Sequence, residues 1–338
     1  MIQESENSLN LLFATVGDAD AILVLPHNDP DPDAIASAVA LRHLLMEALN
    51  VESTIAYQGI IGRAENRALV RYLGQPLQPL TEADLAGEAP IALVDTQPGA
   101  GNNALPDGSE VIIVIDHHTR REPTTRAAFA DIRPGAGATS TILTEYLQEA
   151  GLEPEPLLAT ALFYGIKTDT WGLSRGAGPA DAAAYFYLQP RIDTQALAEI
   201  EYAQVPASYF KSFDATLQAA RVYDGVVVAY VGLMAYPDMT AEMARLLMRL
   251  EKSRWVLCMG VYQDVLILSV RTQRLAGGAE ELVQAIVGEE GTAGGHGLMA
   301  GGQVPLKGRD PEQVVQLFRK QALRVLQVPP EVRGERLI

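Results

Sequence analysis

The segment 23–37, LVLPHNDPDPDAIAS, brings one imidazole and three carboxylates into seven residues. His27, Asp31 and Asp33 follow an apolar run in the spacing H-x-x-x-D-x-D, and an Ala-rich helical pattern comes next. Like charges at the end of a strand repel one another, which costs stability unless a cation lies between them. The pattern therefore suggests a metal site. Asp29, which precedes Pro30, is interpreted as part of the loop.

Further acidic and imidazole side chains follow other regular patterns. Asp95 ends IALVD (91–95), Asp116, His117 and His118 follow VIIVI (111–115), and Asp169 lies in GIKTDT (165–170), in the loop expected after a helix. Carboxylates mixed with imidazoles suit Mn²⁺, Fe²⁺ or Zn²⁺, whereas an all-oxygen shell suits Mg²⁺ or Ca²⁺ better. Six or seven ligands exceed what one catalytic ion needs and suit two ions, an arrangement common in phosphoester hydrolysis.

Each of these signals has a simpler interpretation when it is taken alone. A D-x-D after a strand often marks a helix N-cap, and single aspartates such as Asp95 and Asp169 are common in caps and turns. Together they favour a site, because three of the five histidines of the chain lie in the two strand-end motifs. His296 lies in a Gly-rich segment, and His43 is expected on a helix surface or between helices.

The first half of the chain alternates strand and helix patterns. Strands are predicted at 21–26, 53–58, 91–95 and 111–116, and helices at 33–49, 63–74, 139–151 and 154–170. Thr139 or Ser140 is expected to cap the third helix. This alternation predicts an α/β fold, a doubly wound and mostly parallel sheet with helices on both faces. In such a sheet the carboxyl ends of the strands line one crevice, so these acidic and imidazole side chains converge there.

The pattern changes in the second half. Strands are predicted at 225–233, 254–262 and 264–271, the last two as a hairpin, and helices at 240–252, 279–288 and 310–326. GTAGGHGLMAGGQV (291–304) is expected to form a Gly-rich loop. We predict a catalytic domain over 1–190, a linker helix and hinge over 191–213, and a smaller α/β domain over 214–338, with a cleft between the domains.

Composition excludes several classes of protein. The 338 residues are 48% hydrophobic and 20% charged, which is typical of globular proteins. The sequence has no long uncharged apolar run, and its N-terminus has no basic signal-peptide region, so a cytoplasmic protein away from membranes is expected. Cys258, the single cysteine, is expected in the core. A net charge of −16 disfavours binding to long nucleic acid.

A resemblance to a known family rests on five motifs in order. HNDPDPDAIAS, LVDTQ, VIDHH and GIKTDT resemble the four motifs of the DHH phosphoesterase superfamily, and GTAGGHGLMAGGQV resembles the signature of its DHHA1 C-terminal domain. Size and layout are most similar to the nano-RNase/pAp phosphatase (NrnA-like) group. Pro32 stands where that group often has Gly, and Pro is compatible with an extended loop there.

The resemblance implies a role for each residue. His27, Asp31 and Asp95 would hold one Mn²⁺, and Asp33, Asp95, His117 and Asp169 the other, with Mg²⁺, Fe²⁺ or Zn²⁺ as substitutes. His118 would be a ligand or contact the attacked phosphate, and Asp116 would orient an imidazole. In the C-terminal domain, Gly294, Gly295, His296 and Arg271 would bind the substrate phosphate.

The implied activity is hydrolysis of short nucleotides, nano-RNA or pAp, with a metal-bridging hydroxide as nucleophile. The alternatives are a cyclic-dinucleotide (c-di-AMP) phosphodiesterase, a single-strand exonuclease, an inorganic pyrophosphatase and a nucleotide-sensing module without catalysis. A homodimer is compatible with the sequence. The sequence leaves open the physiological nucleotide, the cleavage polarity, the native metal, and the roles of Lys167 and of the Arg63–Arg67 segment.

Overall fold

The computed structural model describes residues 2–17, 19–106, 108–274 and 276–338, without the side chains of residues 2–7 and 296. The chain forms two compact units, which divide after Ala203. This division falls inside the segment 191–213, for which the sequence predicts a linker. No helix among the described residues is both long enough and apolar enough to cross a membrane.

The sheet of the first unit has six strands, and every neighbouring pair is parallel. They are β1 (Ala21–Leu25), β2 (Glu52–Tyr57), β3 (Leu77–Pro79), β4 (Ile91–Val94), β5 (Ile113–Asp116) and β6 (Phe129–Ile132). Their order is β3-β2-β1-β4-β5-β6, so the winding direction changes between β1 and β4. The predicted doubly wound parallel sheet is confirmed, although β3 and β6 were not foreseen. A ligand crevice is expected at the change of direction.

Helices accompany these strands. They are α1 (Ile2–Val16), α2 (Pro32–Leu49), α3 (Ala64–Tyr72), α4 (Glu82–Ala86), α5 (Thr139–Glu149), α6 (Pro156–Asp169), α7 (Pro179–Leu188) and α8 (Thr194–Glu201), with 3₁₀ turns at Glu122–Arg126 and Gln189–Arg191. The sequence did not predict α1. The linker helix expected at 191–213 is instead α8 followed by the start of a second helix.

The two faces of this sheet pack against different clusters. In β1, Ile22 and Val24 lie in the larger hydrophobic cluster with α2, α5 and α6, whereas Leu23 and Leu25 lie in a smaller cluster on the other face. This alternation follows from the two-residue period of a strand. Both faces of β1 are therefore buried, and His27, Asp31 and Asp33 follow its carboxyl end.

Helix α2 is the central helix of the first unit. It begins at the N-cap Asp31 with Pro32 in its first turn, and it ends at Asn50, whose φ of 55° is left-handed. Residues on most of its circumference are buried, because α5 and α6 pack on it in addition to the sheet. The small alanine side chains of 34–40 permit this close packing. The first turn of α2, which carries Asp33, is therefore held at the crevice by the core.

The second unit contains a mixed sheet. Its strands are β7 (Arg221–Tyr223), β8 (Val226–Leu233), β9 (Trp255–Tyr262), β10 (Val265–Thr272), β11 (Thr292–His296), β12 (Met299–Pro305) and β13 (Glu335–Arg336), in the order β11-β12-β10-β9-β8-β7-β13. Its helices are α9 (Ala207–Ala219), α10 (Met239–Leu247), α11 (Ala279–Val287) and α12 (Pro311–Val325), with a 3₁₀ turn at Gly288–Glu290. The β9–β10 hairpin is confirmed.

The Gly-rich segment is a β-hairpin, and its prediction as a loop was wrong. Strands β11 and β12 pair antiparallel with Gly294 opposite Gly301. The glycines serve close packing, since a β-carbon on Gly302 would lie 2.9 Å from Val287 of α11. A β-carbon on Gly295 would lie 2.4 Å from the Met299 carbonyl oxygen. So many glycines favour a flexible backbone, but the pairing of β11 with β12 and of β12 with β10 overrides that tendency.

Candidate metal centre

The carboxyl ends of β1, β4 and β5 bring the acidic and imidazole side chains of the first unit together. Three groups place one ligand atom from each residue within 4.8 Å of the others: His27, Asp31 and Asp95; Asp33, His117 and Asp169; and Asp95, Asp116, His117 and His118. The first two groups agree with the ligand sets that the family resemblance implies, with Asp95 between them. The geometry is compatible with two adjacent cations.

His27 presents its Nε2 atom to two carboxylates. Its Nδ1 donates a 2.8 Å hydrogen bond to the carbonyl oxygen of Asn28, which leaves Nε2 as the acceptor of the neutral ring. Nε2 lies 3.7 Å from Oδ1 of Asp31 and 3.6 Å from Oδ2 of Asp95. Donors that bind one ion at about 2.0–2.2 Å lie roughly 3–4 Å apart, so the spacing suits a shared ion.

Asp31 and Asp33 both act at helix N-termini. Asp31 caps α2 by accepting hydrogen bonds from the backbone amides of Asp33 and Ala34, at 3.0 and 3.1 Å. Asp33 accepts the backbone amides of Thr139 and Ser140, both at 2.7 Å. The predicted capping of α5 by Thr139 or Ser140 was therefore wrong. Its N-cap is Ala138, and the carboxylate of Asp33 takes the capping role.

Asp95 lies between two imidazoles. Its backbone has a left-handed φ of 57°, a strained conformation for a residue with a β-carbon, and its amide donates to Ile115 at 2.9 Å. Oδ1 lies 3.5 Å from Nε2 of His117, while Oδ2 faces His27 on the other side. Thr139 orients the carboxylate through a 2.9 Å hydrogen bond to Oδ1. This is the position that a carboxylate bridging two ions needs.

The surroundings of His117 show whether a metal ion suits this site. Its Nδ1 donates to the carbonyl oxygen of Ala136 at 3.3 Å, so its Nε2 carries the lone pair. Nε2 is buried and has no hydrogen-bond partner among the described residues. Oxygens of Asp95 and Asp169 lie 3.5 and 3.7 Å away. A buried acceptor without a donor costs stability, and a divalent cation between these atoms removes that cost.

Asp169 is the last residue of α6, which agrees with the helix predicted at 154–170. The expectation that Asp169 lies in a loop after the helix was wrong. Helix α6 approaches the site closely because residue 165 is glycine. A β-carbon there would lie 2.5 Å from Oγ of Ser140 and 3.1 Å from the α-carbon of Asp33. The GIKTDT segment therefore provides the carboxylate of Asp169. It also provides Gly165, whose missing side chain leaves room for Ser140 and Asp33.

Gln97 is a functional residue that the sequence reasoning missed. Its Nε2 donates to Oδ2 of Asp116 at 2.7 Å and to the Thr119 carbonyl at 3.1 Å. Asp116 in turn accepts a 2.8 Å hydrogen bond from Nδ1 of His118. Gln97 belongs to the motif LVDTQ, but nothing in the sequence shows that it pairs with Asp116. The chain Gln97–Asp116–His118 fixes the tautomer of the exposed imidazole.

Burial and like charges shift the pKa values of the cluster. Burial raises the pKa of Asp95 well above its usual value, and the charges of Asp33 and Asp31 raise it further. Burial and the same two charges raise the pKa of Asp169. Without a cation, these carboxyl groups therefore keep their protons to a higher pH than usual. A divalent ion that binds there would displace those protons.

The imidazoles respond in opposite directions. Burial favours neutral His27, but the charge of Asp31, whose Oδ1 lies 3.7 Å from Nε2, outweighs it and raises the pKa of His27 to about 10. Burial and the charge of His118 lower the pKa of His117, which keeps that ring neutral. A neutral ring with an unpartnered Nε2 is the form that binds metal.

The remaining predicted residues lie elsewhere. Arg271 is in β10 and Gly294 and Gly295 are in β11, all in the second unit, and the side chain of His296 lies outside the described residues. Lys167 forms an ion pair with Glu201 of α8. In the 63–67 segment, Arg63 is the N-cap of α3, and buried Asn66 donates to the Pro30 carbonyl at 3.3 Å.

Comparison with known proteins matches part of the chain to a family. Residues 21–166 match the family model described as DHH family, N-terminal domain. This match covers less than half of the chain, so it identifies the domain and not the whole protein. The match covers all the strand ends that carry the cluster and ends three residues before Asp169.

Two curated relatives share part of their sequence with this chain. An uncharacterised protein of Methanocaldococcus jannaschii is 37% identical over 287 residues, which are 84% of this chain and 58% of that protein. A probable manganese-dependent inorganic pyrophosphatase of Deinococcus radiodurans is 32% identical over 152 residues, 44% of this chain and 46% of that protein. The chain thus spans about half the length of the curated relatives it matches.

A solved structure shares the fold. An exopolyphosphatase-related protein from Bacteroides fragilis has a TM-score of 0.75 at 16% identity and covers 94% of this chain, with 96% of its own length matched. At this identity the likeness shows that the fold is shared and nothing more specific.

Proposed function

We propose that this chain is a metal-dependent hydrolase of phosphoester bonds in short nucleotides, active with two Mn²⁺. One observation carries the proposal. Asp95 lies between His27 and His117, and the buried Nε2 of His117 has no hydrogen-bond partner among the described residues. Manganese is proposed because the donors mix carboxylate and imidazole, and because the pyrophosphatase of D. radiodurans is named as manganese-dependent.

The chain offers two ligand sets that share one carboxylate. His27, Asp31 and Asp95 would hold the first ion, and Asp33, Asp95, His117 and Asp169 the second. When bound, the ions lower the pKa of a coordinated water and offset the negative charge of the phosphoryl oxygens. The protein positions these ligands through the α5 amides on Asp33, the Thr139 hydroxyl on Asp95, and the backbone carbonyl groups that fix both imidazoles.

His118 is proposed to contact the attacked phosphate. Asp116 holds Nδ1 of His118, so the Nε2 side of the ring is directed away from Asp116. Burial opposes charge on His118, but the hydrogen bond from His118 to Asp116 outweighs it and raises the pKa of His118. In its protonated form, this imidazole would donate a charge-assisted hydrogen bond to a phosphate oxygen.

Substrate binding by the second unit is also a proposal. Met299 of β12 pairs with Arg271 on one side and with residue 296 on the other, so the register places all three in one row across the sheet. We propose that Arg271 and His296 bind a substrate phosphate from this row, with the backbone of Gly294 and Gly295. Arg is suited to this task because its guanidinium binds two phosphate oxygens at once.

Short nucleotides suit the charge of the protein. A net charge of −16 opposes the many phosphate contacts that a long nucleic acid makes. A mono- or dinucleotide brings few charges, which metal ions and a few arginines neutralise. We therefore propose nano-RNA, pAp or a cyclic dinucleotide as the substrate class.

Inorganic pyrophosphate is the second candidate substrate. It is favoured by the similarity of 152 residues to the probable pyrophosphatase of D. radiodurans. That match covers 44% of this chain, so it leaves over half of the residues without a counterpart in that comparison. We rank nucleotides first because the Gly-rich hairpin resembles the DHHA1 signature.

A substrate panel tests the proposal. The full chain is stripped with EDTA, reloaded with Mn²⁺, and assayed with pAp, di- to pentanucleotides, cyclic di-AMP and pyrophosphate. We expect nucleotide hydrolysis that is abolished by chelation and restored by Mn²⁺. Hydrolysis of pyrophosphate alone would establish the second candidate, and full activity after metal removal would exclude the metal mechanism.

A further inference from the structure

Three consecutive residues that follow Thr170, the C-cap of α6, have an unusual backbone. Trp171, Gly172 and Leu173 all have left-handed φ angles, of 50°, 64° and 69°. A left-handed conformation is strained for a residue with a β-carbon, and a large side chain rarely adopts it. The turn nevertheless leaves the Trp171 side chain 49% exposed. Burial of the indole therefore does not explain why Trp occupies this position.

Hydrogen bonds keep this turn in one conformation. The amide of Gly172 donates to the Lys167 carbonyl at 2.8 Å, and the amide of Arg175 donates to the Thr170 carbonyl at 2.9 Å. The Thr170 hydroxyl accepts the amide of Leu173 at 3.0 Å. Strained turns that are over-determined in this way are concentrated at ligand sites. Here the turn begins directly after Asp169 of the metal centre.

Arg175 lies over the Trp171 ring and has an unused donor. Its guanidinium carbon is 4.9 Å from the centroid of the ring. Its Nη1 is shielded from solvent and has no hydrogen-bond partner in the part of the chain that the structure describes. A shielded guanidinium donor without an acceptor is costly, which points to an acceptor that the protein itself does not supply.

Arg191 shows how a structural arginine differs. It also stacks on an aromatic ring, with its guanidinium carbon 4.0 Å from the centroid of Tyr187. Its Nη1 donates to the Tyr187 carbonyl at 2.7 Å, and its Nη2 lies 3.7 Å from Glu153. The protein thus satisfies the guanidinium of Arg191 but leaves Nη1 of Arg175 for another partner.

We propose that Arg175 and Trp171 form a nucleotide subsite beside the metal centre, in which Arg175 binds a substrate phosphate oxygen and Trp171 stacks on a base. This inference rests on the proposed function and specifies its substrate as a nucleotide. A phosphate supplies the acceptor that Nη1 lacks, and its charge matches the guanidinium. An exposed indole face stabilises a nucleotide base by stacking, largely regardless of which base it is.

The positions of the two residues suit one nucleotide. Trp171 is two residues from Asp169, so their α-carbons are at most about 7 Å apart. A phosphate near the metal centre and its own base can span this distance. Arg175 adds positive charge next to a cluster of carboxylates, which reduces the repulsion that an incoming phosphate meets.

Kinetics with two kinds of substrate test the subsite. We expect Arg175→Gln to raise KM about ten- to a hundredfold for both nucleotides and pyrophosphate, with unchanged bound Mn²⁺. Trp171→Ala should raise KM about five- to a hundredfold for nucleotides only, and Trp171→Phe should restore it. Arg191→Gln is the matched control, and its KM should remain within twofold of wild type.

Ligand binding without turnover gives a second readout. The chain has two tryptophans, and Trp255 is only 6% exposed, so added 5′-AMP should quench chiefly Trp171. We expect saturable quenching in the Mn²⁺-loaded protein, and its loss in Arg175→Gln but not in Arg191→Gln. No quenching by 5′-AMP in the wild type would overturn the subsite, even if the enzyme hydrolyses nucleotides.

Different results would contradict the nucleotide subsite and the proposed function. If the wild type hydrolyses nucleotides but Arg175→Gln only lowers the melting temperature at unchanged KM, Arg175 is a structural counter-charge and the subsite is wrong. If the wild type hydrolyses none of the panel, the proposed function is wrong, and the 5′-AMP titration still decides whether Trp171 binds a nucleotide.

Discussion

Gly165 lies against Asp33 so closely that a β-carbon on residue 165 would be 3.1 Å from the Asp33 α-carbon. The two residues belong to different helices, α6 and α2, which both end or begin at the metal centre. The absence of a side chain at 165 thus sets the distance between Asp33 and Asp169, two of the proposed ligands of one ion.

Gly165→Ala should weaken metal binding. Alanine normally stabilises a helix interior by about 0.5–1 kcal/mol over glycine, but here its methyl group would push Ser140 and Asp33 away. We expect lower Mn²⁺ affinity by calorimetric titration and a lower melting temperature. Gly135→Ala, where a β-carbon would meet nothing within 4 Å, is the control. Unchanged affinity in Gly165→Ala would show that the helix spacing is not critical.

Asp95→Asn should separate metal binding from stability. Asparagine keeps an acceptor for the Thr139 hydroxyl but loses the charge, so bound Mn²⁺ should fall from about two ions to fewer than one. The metal-free variant should melt higher, by about 2–4 °C per kcal/mol of repulsion removed. Mass spectrometry and calorimetry measure both effects. Asp20→Asn, exposed at the other end of β1, should change neither.

Gln97→Glu should lower kcat by about ten- to a hundredfold. Glutamate still accepts from the Arg121 amide and the Thr124 hydroxyl, both at 2.8 Å, but it sets a carboxylate against Asp116. His118 then loses its orientation. Thr124→Val removes only the hydroxyl group that donates to Oε1 of Gln97. This variant should keep kcat within twofold of wild type. Equal losses in both variants would mean that Gln97 serves packing alone.

Cys258 should make stability depend on alkaline pH. Burial raises the pKa of its thiol to about 12, while the unfolded thiol ionises near 9. The unfolded chain therefore loses this proton first, and the free energy of unfolding should fall as pH rises from about 9 to 12. Urea titrations across this range should show the slope, and Cys258→Ala should reduce it. Rapid alkylation of the native thiol at pH 8 would contradict its burial.

Short-range patterns were sufficient to predict the acidic and imidazole cluster. Strand-ending motifs need only the alternation of apolar runs and helices, because the carboxyl ends of parallel strands share one edge. The positions of His27, Asp95 and His117 at one edge of the sheet follow from that rule alone. The same reasoning predicted the parallel sheet and the β9–β10 hairpin.

Long-range packing decided how these side chains are held. Asp33 caps α5 across 106 residues of chain, Gln97 meets Asp116, and the glycines of 291–304 pair as strands. No local pattern contains these contacts, since each depends on which helix or strand the fold places opposite. The sequence by itself determined which groups can bind a cation, because that depends on residue type and strand-end position. Only the tertiary structure decided their orientation and left Nη1 of Arg175 without a partner among the described residues, because orientation depends on neighbours far apart in the chain.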